Sequence, residues 1–180
     1  VGCAGEALTE FGELVEAGAV GVTDDGRPVM DSGLMRLALE YAQAFDIPVL
    51  DHPEDLTLSR DGSMNEGLVS SRLGLRGKPN ASEDIHIVRD ILLAELTGGR
   101  IHIQHVSTAL GVDAIRQGKA RGIRVTGEAS PHHLLLTDEE VDGYRTEAKM
   151  NPPLRSPRDR EAVRAGLRDG TLEVVATDHA

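Results

Sequence analysis

Short apolar runs recur at about residues 19–23, 48–51, 101–105, 123–128 and 173–177, and longer segments with apolar residues at helical spacing lie between them. That alternation predicts parallel strands with crossover helices, because parallel neighbours need a connection that returns the chain to the same end of the sheet. One helix is expected from Asp31 or Ser32, with Leu34, Ala38, Tyr41, Ala42 and Phe45 on one stripe and Pro48 marking the entry to the next strand. A second is expected from about Ser82 to Leu96, with Ile85, Val88, Leu92 and Leu96 on its inward face and Gly98-Gly99 as its stop. Ser156-Pro157-Arg158-Asp159 reads as a third helix start, leading to inward-facing Ala162, Val163 and Leu167 and closing at Gly170. The connection from about Glu54 to Pro79, rich in Gly, Ser and charge, is too long for a simple loop and reads as functional or lid-like.

A parallel sheet of this kind is either a doubly wound open sheet or a (β/α)8 barrel, and the polar residues at the strand ends separate the two. Val49-Leu50-Asp51-His52 and Ile101-His102-Ile103-Gln104-His105 end in imidazoles. Val20-Gly21-Val22-Thr23-Asp24-Asp25 ends in two carboxylates, and Leu172 to Thr177 ends in Asp178. An open sheet gathers its ligands at one switch point, whereas a barrel collects them from several strands at its C-terminal rim. The fold class expected is therefore α/β, a partial (β/α)8 TIM barrel with about five of the eight strands. With no initiator Met and an end just after the last candidate strand, residues 1–180 read as a fragment of a single catalytic barrel domain.

Histidine with carboxylate suits zinc, which can keep an open position for a water whose pKa falls to about 7. A rim aspartate within reach of that water can take its proton and return it to a leaving nitrogen. A lone histidine at a strand end is more often structural; two at equivalent ends, with an aspartate on a third, carry more weight. Asp24 and Asp25 are adjacent and face opposite ways on a strand, so at most one should point at a metal. His86 reads as an exposed or packing residue of a helix, His102 has the wrong strand parity for a ligand, and His132 and His133 read as structural or supporting.

Composition narrows the partners. The chain is 39% apolar and 27% charged, as expected of a globular domain, and its net charge of -11 argues against nucleic-acid and anionic-membrane surfaces. A small-molecule substrate is the expected partner. The single Cys3 cannot form an intrachain disulfide, and no run is apolar enough for a membrane span or a signal peptide, so the cytoplasm is the default location.

Six motifs in order carry a resemblance: Asp24-Asp25-Gly26, Asp51-His52-Pro53-Glu54-Asp55, His105-Val106-Ser107-Thr108-Ala109, Ser130-Pro131-His132-His133-Leu134-Leu135-Leu136-Thr137, Met150-Asn151-Pro152-Pro153-Leu154-Arg155 and Ala176-Thr177-Asp178-His179-Ala180. Together they resemble bacterial class I dihydroorotase, of the amidohydrolase superfamily. The resemblance implies a metal-dependent barrel, with one or two Zn2+ per site, that interconverts N-carbamoyl-L-aspartate and L-dihydroorotate in pyrimidine biosynthesis. It implies His52 and His105 as zinc ligands, Asp178 as both ligand and general acid/base, Asp25 as the carboxylate shared between metals, and Asn151 as a substrate contact. Related hydantoinases and allantoinases usually carry a carboxylated lysine where Asp25 stands, so Asp25 favours dihydroorotase over allantoinase, hydantoinase or dihydropyrimidinase. The family's His-x-His-x-Arg motif and its substrate-binding His after the last strand are absent from these residues, which implies that they do not catalyse alone. The resemblance also implies a homo-oligomer for the whole protein. A non-catalytic subunit scaffolding aspartate transcarbamoylase is the alternative, disfavoured by the retained His52, His105 and Asp178.

Overall fold

The computed structural model describes residues 4–179, so the expectation for Cys3 lies outside the described residues. The elements in order are α1 (Phe11–Glu16), β1 (Val22–Thr23), α2 (Ser32–Gln43), β2 (Val49–Asp51), α3 (Leu56–Ser59), β3 (Met64–Asn65), α4 (Leu68–Leu73), β4 (Gly77–Lys78), α5 (Ala81–Thr97), β5 (Ile101–Ile103), α6 (Ala109–Ala120), β6 (Val125–Ala129), α7 (Pro131–Leu135), α8 (Pro157–Arg168) and β7 (Val174–Val175). Short 3-10 segments fill Asp138–Tyr144 and Thr146–Ala148.

Five strands form one parallel sheet in the order β1-β2-β5-β6-β7. The main-sheet strands follow the chain without reversal, so there is no switch point and the sheet is an arc of a (β/α)8 barrel. Its register explains its two faces. Val22, Val49, Ile101 and Val125 stand in one cross-strand row, and the last three of these are buried against the helices. Thr23, Leu50, His102 and Thr126 form the neighbouring row on the other face, as the two-residue period of a strand requires. Helices α2, α5, α6 and α8 pack side by side, and Met35, Leu39, Ile87, Ile91, Ile115 and Val163 fill the layer beneath them. Among the described residues no helix is long and apolar enough to cross a membrane.

The helix starts follow the sequence signals. Asp31 caps α2 by accepting from Leu34 N–H at 2.7 Å, and Ser156 caps α8, with Pro157 in its first turn. Gly98 ends α5 in the left-handed region at φ +74°, which glycine adopts without a Cβ clash. The inward faces are less faithful. In α2 the buried set is Met35, Ala38, Leu39 and Ala42, while Phe45 is exposed. In α5 the stripe Ile85, Val88, Leu92 and Leu96 faces outward, and the buried face carries Glu83, His86 and Asp90 with Ile87, Ile91 and Ala94. Glu83 pairs with buried Arg155 from a remote segment, which holds the helix in this rotation against the apolar pattern, and Asp90 pairs with Arg89 of the same helix.

The 54–79 connection is structured. It holds α3, the parallel pair β3–β4 and α4, and it shares a small second core, Met64, Val69, Val141, Ala148 and Leu154, with the segment after α7. A Cβ at Gly77 would lie 2.3 Å from Glu66 Cα, so β4 approaches this closely only as glycine. The connection and the 138–154 segment thus form one cap beside the carboxyl ends of the strands.

His133 ties that cap to the rim through Nε2–H, which donates to Pro152 O at 3.0 Å. Burial, followed by the charge of His132, pushes its pKa from 6.5 down to about 3. Because folding depresses this pKa, the stability it contributes is present above about pH 6.5 and lost as pH falls toward 3. The stability advantage of the intact protein over its His133→Gln variant should therefore shrink on acidification from pH 7.5 to 4.5, by roughly 1.4 kcal/mol per pH unit below 6.5. Denaturant midpoints across that range check it; a pH-independent difference would contradict the burial of a neutral ring.

Candidate metal centre

Three of the sequence candidates meet at the carboxyl rim. His52 directly follows β2, His105 lies two residues beyond β5, and Asp25 lies two beyond β1. His52 Nδ1 is 2.9 Å from His105 Nε2, and Asp25 Oδ1 is 3.6 Å from the first and 3.9 Å from the second. Both imidazoles are almost wholly buried, and Asp25 reaches them from the exposed side. Tetrahedral zinc with bonds near 2.1 Å would hold its donors roughly 3.4 Å apart, so these separations and this donor set fit that ion. Each residue offers one ligand atom, the three lying within 4.8 Å of one another.

The backbone explains the convergence. β5 ends at Ile103, and His105 takes φ +33°, which turns its ring out of strand alternation. The ring of His102 turns elsewhere: His102 Nε2 lies 3.0 Å from Glu128 Oε2, and Glu128 Oε1 accepts from His105 N–H at 3.4 Å. His102 itself stands outside the three-residue group. Asp24 turns away from Asp25, as the alternation requires. Its two oxygens accept from His52 N–H at 2.9 Å and Val29 N–H at 2.8 Å, which fixes the end of β2 to the loop after β1.

Electrostatics favour cation binding here. The His105 ring beside it, aided by the charge of His52, holds the Asp25 carboxyl below its usual range against partial burial. For His105, burial works against protonation, but Asp25, Asp178 and Glu83 outweigh it and raise the pKa. Asp178 is exposed, with φ +55°, and does not join the group; its charge acts on His105 and His132 from the end of β7. Asn151 sits on the other side of His52, with Nδ2 3.2 Å from His52 Nε2. Behind the rim, Asp51 and Asp90 are fully buried beside Arg89, and burial and mutual repulsion raise Asp51 well above the usual carboxyl range.

Sequence reasoning assigned no role to Glu54, Lys78, Glu83 or Arg155. Glu54 Oε2 lies 3.1 Å from His52 Nε2, so the carboxylate accepts that N–H and leaves Nδ1 facing His105 and Asp25. Burial opposes ionisation of Glu54, but hydrogen bonds from His52, Lys78, Asn151 and Ser59 hold its carboxyl far below the usual range. Arg155, itself buried, donates to Glu83 Oε2 at 3.2 Å, Ser107 Oγ at 3.0 Å, Asn65 Oδ1 at 3.2 Å and Lys78 O at 2.9 Å. The only early signal was position, since Glu54 and Arg155 stand inside motifs that drew attention for other residues.

Fold and rim together place the chain among the (β/α)8 barrels that carry a His/carboxylate cluster at the strand ends. The family profile described as Dihydro-orotase-like matches residues 1–110. The chain is 59% identical over 181 residues to the dihydroorotase of Anaeromyxobacter sp. (strain K) and 56% identical over 180 residues to that of Desulforapulum autotrophicum, covering 99% and 100% of this chain. It belongs to the dihydroorotase-like family. It spans 42% of the length of each of those two relatives. Among solved structures, a D-hydantoinase superposes with a TM-score of 0.80 at 23% identity, covering 97% of this chain and 41% of that one. The L-hydantoinase (dihydropyrimidinase) of Arthrobacter aurescens superposes with a TM-score of 0.77 at 24% identity, covering 94% and 40%. These likenesses establish the shared fold.

Proposed function

We propose that the whole protein to which this chain belongs is a zinc-dependent dihydroorotase, interconverting N-carbamoyl-L-aspartate and L-dihydroorotate. The observation that carries this reading is Asp25 set against His52 and His105 at one rim, in a chain 59% identical to a dihydroorotase. Zinc, when bound, supplies Lewis acidity toward water and the ring carbonyl. Asp25, His52 and His105 hold it, with Glu54 fixing the ring of His52. Asp178 takes a proton from the attacking water and delivers it to the ring nitrogen as the C–N bond breaks, and the reverse direction returns it. Asn151, on the loop beside His52, orients the substrate. The 180 residues alone lack the His-x-His-x-Arg motif and are proposed to be inactive without the rest of the polypeptide.

One or two zinc ions, a cytoplasmic location and a homo-oligomer of the whole protein belong to the same reading. Turnover of dihydroorotate, hydantoin and allantoin by the purified intact protein tests it. Preference for dihydroorotate is expected; preference for either other ring would replace the substrate, and no turnover of any would favour the scaffold role beside aspartate transcarbamoylase.

A further inference from the structure

Lys78 closes a cluster that the proposed reaction does not by itself require. Its ammonium donates to Glu54 Oε1 at 2.6 Å and to Asn151 Oδ1 at 2.7 Å, and Asn151 Nδ2–H donates to Glu54 Oε2 at 2.9 Å. Glu54 in turn receives His52 Nε2–H at 3.1 Å. Three distant pieces of chain therefore meet on one carboxylate: the residues after β2, the end of β4 and the 151 loop. The side chains of Lys78 and Glu54 are only 17% and 10% exposed, so the pair is held largely out of water, where a misplaced partner is costly. Lys78 is fixed at its backbone as well, since its carbonyl accepts from Arg155 Nη1 at 2.9 Å.

We propose that Lys78 is a positioning residue for the metal centre: it holds Glu54 and Asn151 together, and through Glu54 it fixes the ring of His52. The inference rests on the zinc dihydroorotase reading above and adds to it a defined task for the 54–79 connection. A carboxylate on the far nitrogen of a ligating imidazole sets its tautomer and ring orientation, and losing such a partner lowers metal affinity about 10–100-fold. Lys78 acts one step further out. Without it Glu54 loses its cation and Asn151 loses its donor, and the restraint on His52 weakens although no first ligand is touched.

The test uses the intact protein and a double-substitution cycle of Lys78→Met and Glu54→Gln, with zinc affinity measured by chelator competition and the melting temperature of each metal-free form recorded alongside. Lys78→Met should weaken zinc binding about 10-fold or more. In the Glu54→Gln background it should cost less than about threefold more, because the two residues act as one unit. Lys78→Arg should recover part of the loss. Zinc affinity in Lys78→Met within about threefold of wild type, or an equal loss in both backgrounds, overturns the inference. If Lys78→Met does not fold, Glu54→Gln and Lys78→Arg decide: wild-type zinc affinity in Glu54→Gln overturns it, and a weakened Glu54→Gln with a nearly intact Lys78→Arg supports it. A wild-type protein that binds no zinc removes both this inference and the reading beneath it, whereas normal zinc binding unaffected by Lys78 removes this one alone.

Discussion

Replacing His105 by Ala in the intact protein is expected to strip it of zinc and to lower dihydroorotate turnover by at least about a thousandfold, since a catalytic metal supplies several kcal/mol of charge stabilisation. His105 is 2% exposed, and its Nε2 faces His52 Nδ1 at 2.9 Å, so the substitution removes one of three converging donors. The fold should survive, because the ring's Nδ1 has no hydrogen-bond partner and the barrel core lies on the opposite face of the sheet. Zinc per chain by elemental analysis, taken with far-UV circular dichroism, separates lost metal from lost structure. Stoichiometric zinc with near-normal turnover would remove His105 from the site.

Arg155→Leu should destabilise the intact protein by about 3–5 kcal/mol, the range found when one member of a buried ion pair is deleted. Glu83 and Arg155 are 1% and 3% exposed, and Glu83 also accepts from Ser107 N–H at 2.7 Å. Deleting the guanidinium leaves a carboxylate inside the protein with its hydrogen bonds from Ser107 and Thr108 but without its cation. It also frees Lys78 O and Asn65 Oδ1, which join the barrel to the cap. Pairing the change with Glu83→Gln should restore part of the loss, because the uncompensated charge is then gone. Denaturant midpoints of the two single variants and the double variant measure this. A loss under about 1 kcal/mol in Arg155→Leu would mean that the pair is not buried as the structure shows it.

The apolar rhythm of the chain was enough for the arc of parallel strands. Successive strands lie side by side, and the ends at His52, His105 and Asp25 meet because the C-terminal end of every strand reaches one rim. Helix rotation was harder to read. In α5 a row of Ile, Val and Leu faces solvent while Glu83, His86 and Asp90 are buried, and Arg155, from a remote segment, holds Glu83 there. Periodicity counts apolar residues and is blind to such partners. The same blindness hid Glu54 and Lys78, which become functional candidates only once the 54–79 connection folds back to place Lys78 beside Asn151. His102 lies outside the three-residue group, as expected, and it is His105's own left-handed backbone, φ +33°, rather than strand alternation alone that sets its ring at the rim.

Asp25, His52 and His105 are proposed to share one cation. An anomalous difference map at the zinc edge, from crystals of the intact zinc-replete protein, tests it most directly. A peak within about 2.0–2.2 Å of His52 Nδ1, His105 Nε2 and an oxygen of Asp25 is the expected result. A zinc peak elsewhere, or none between these three side chains, would contradict the account.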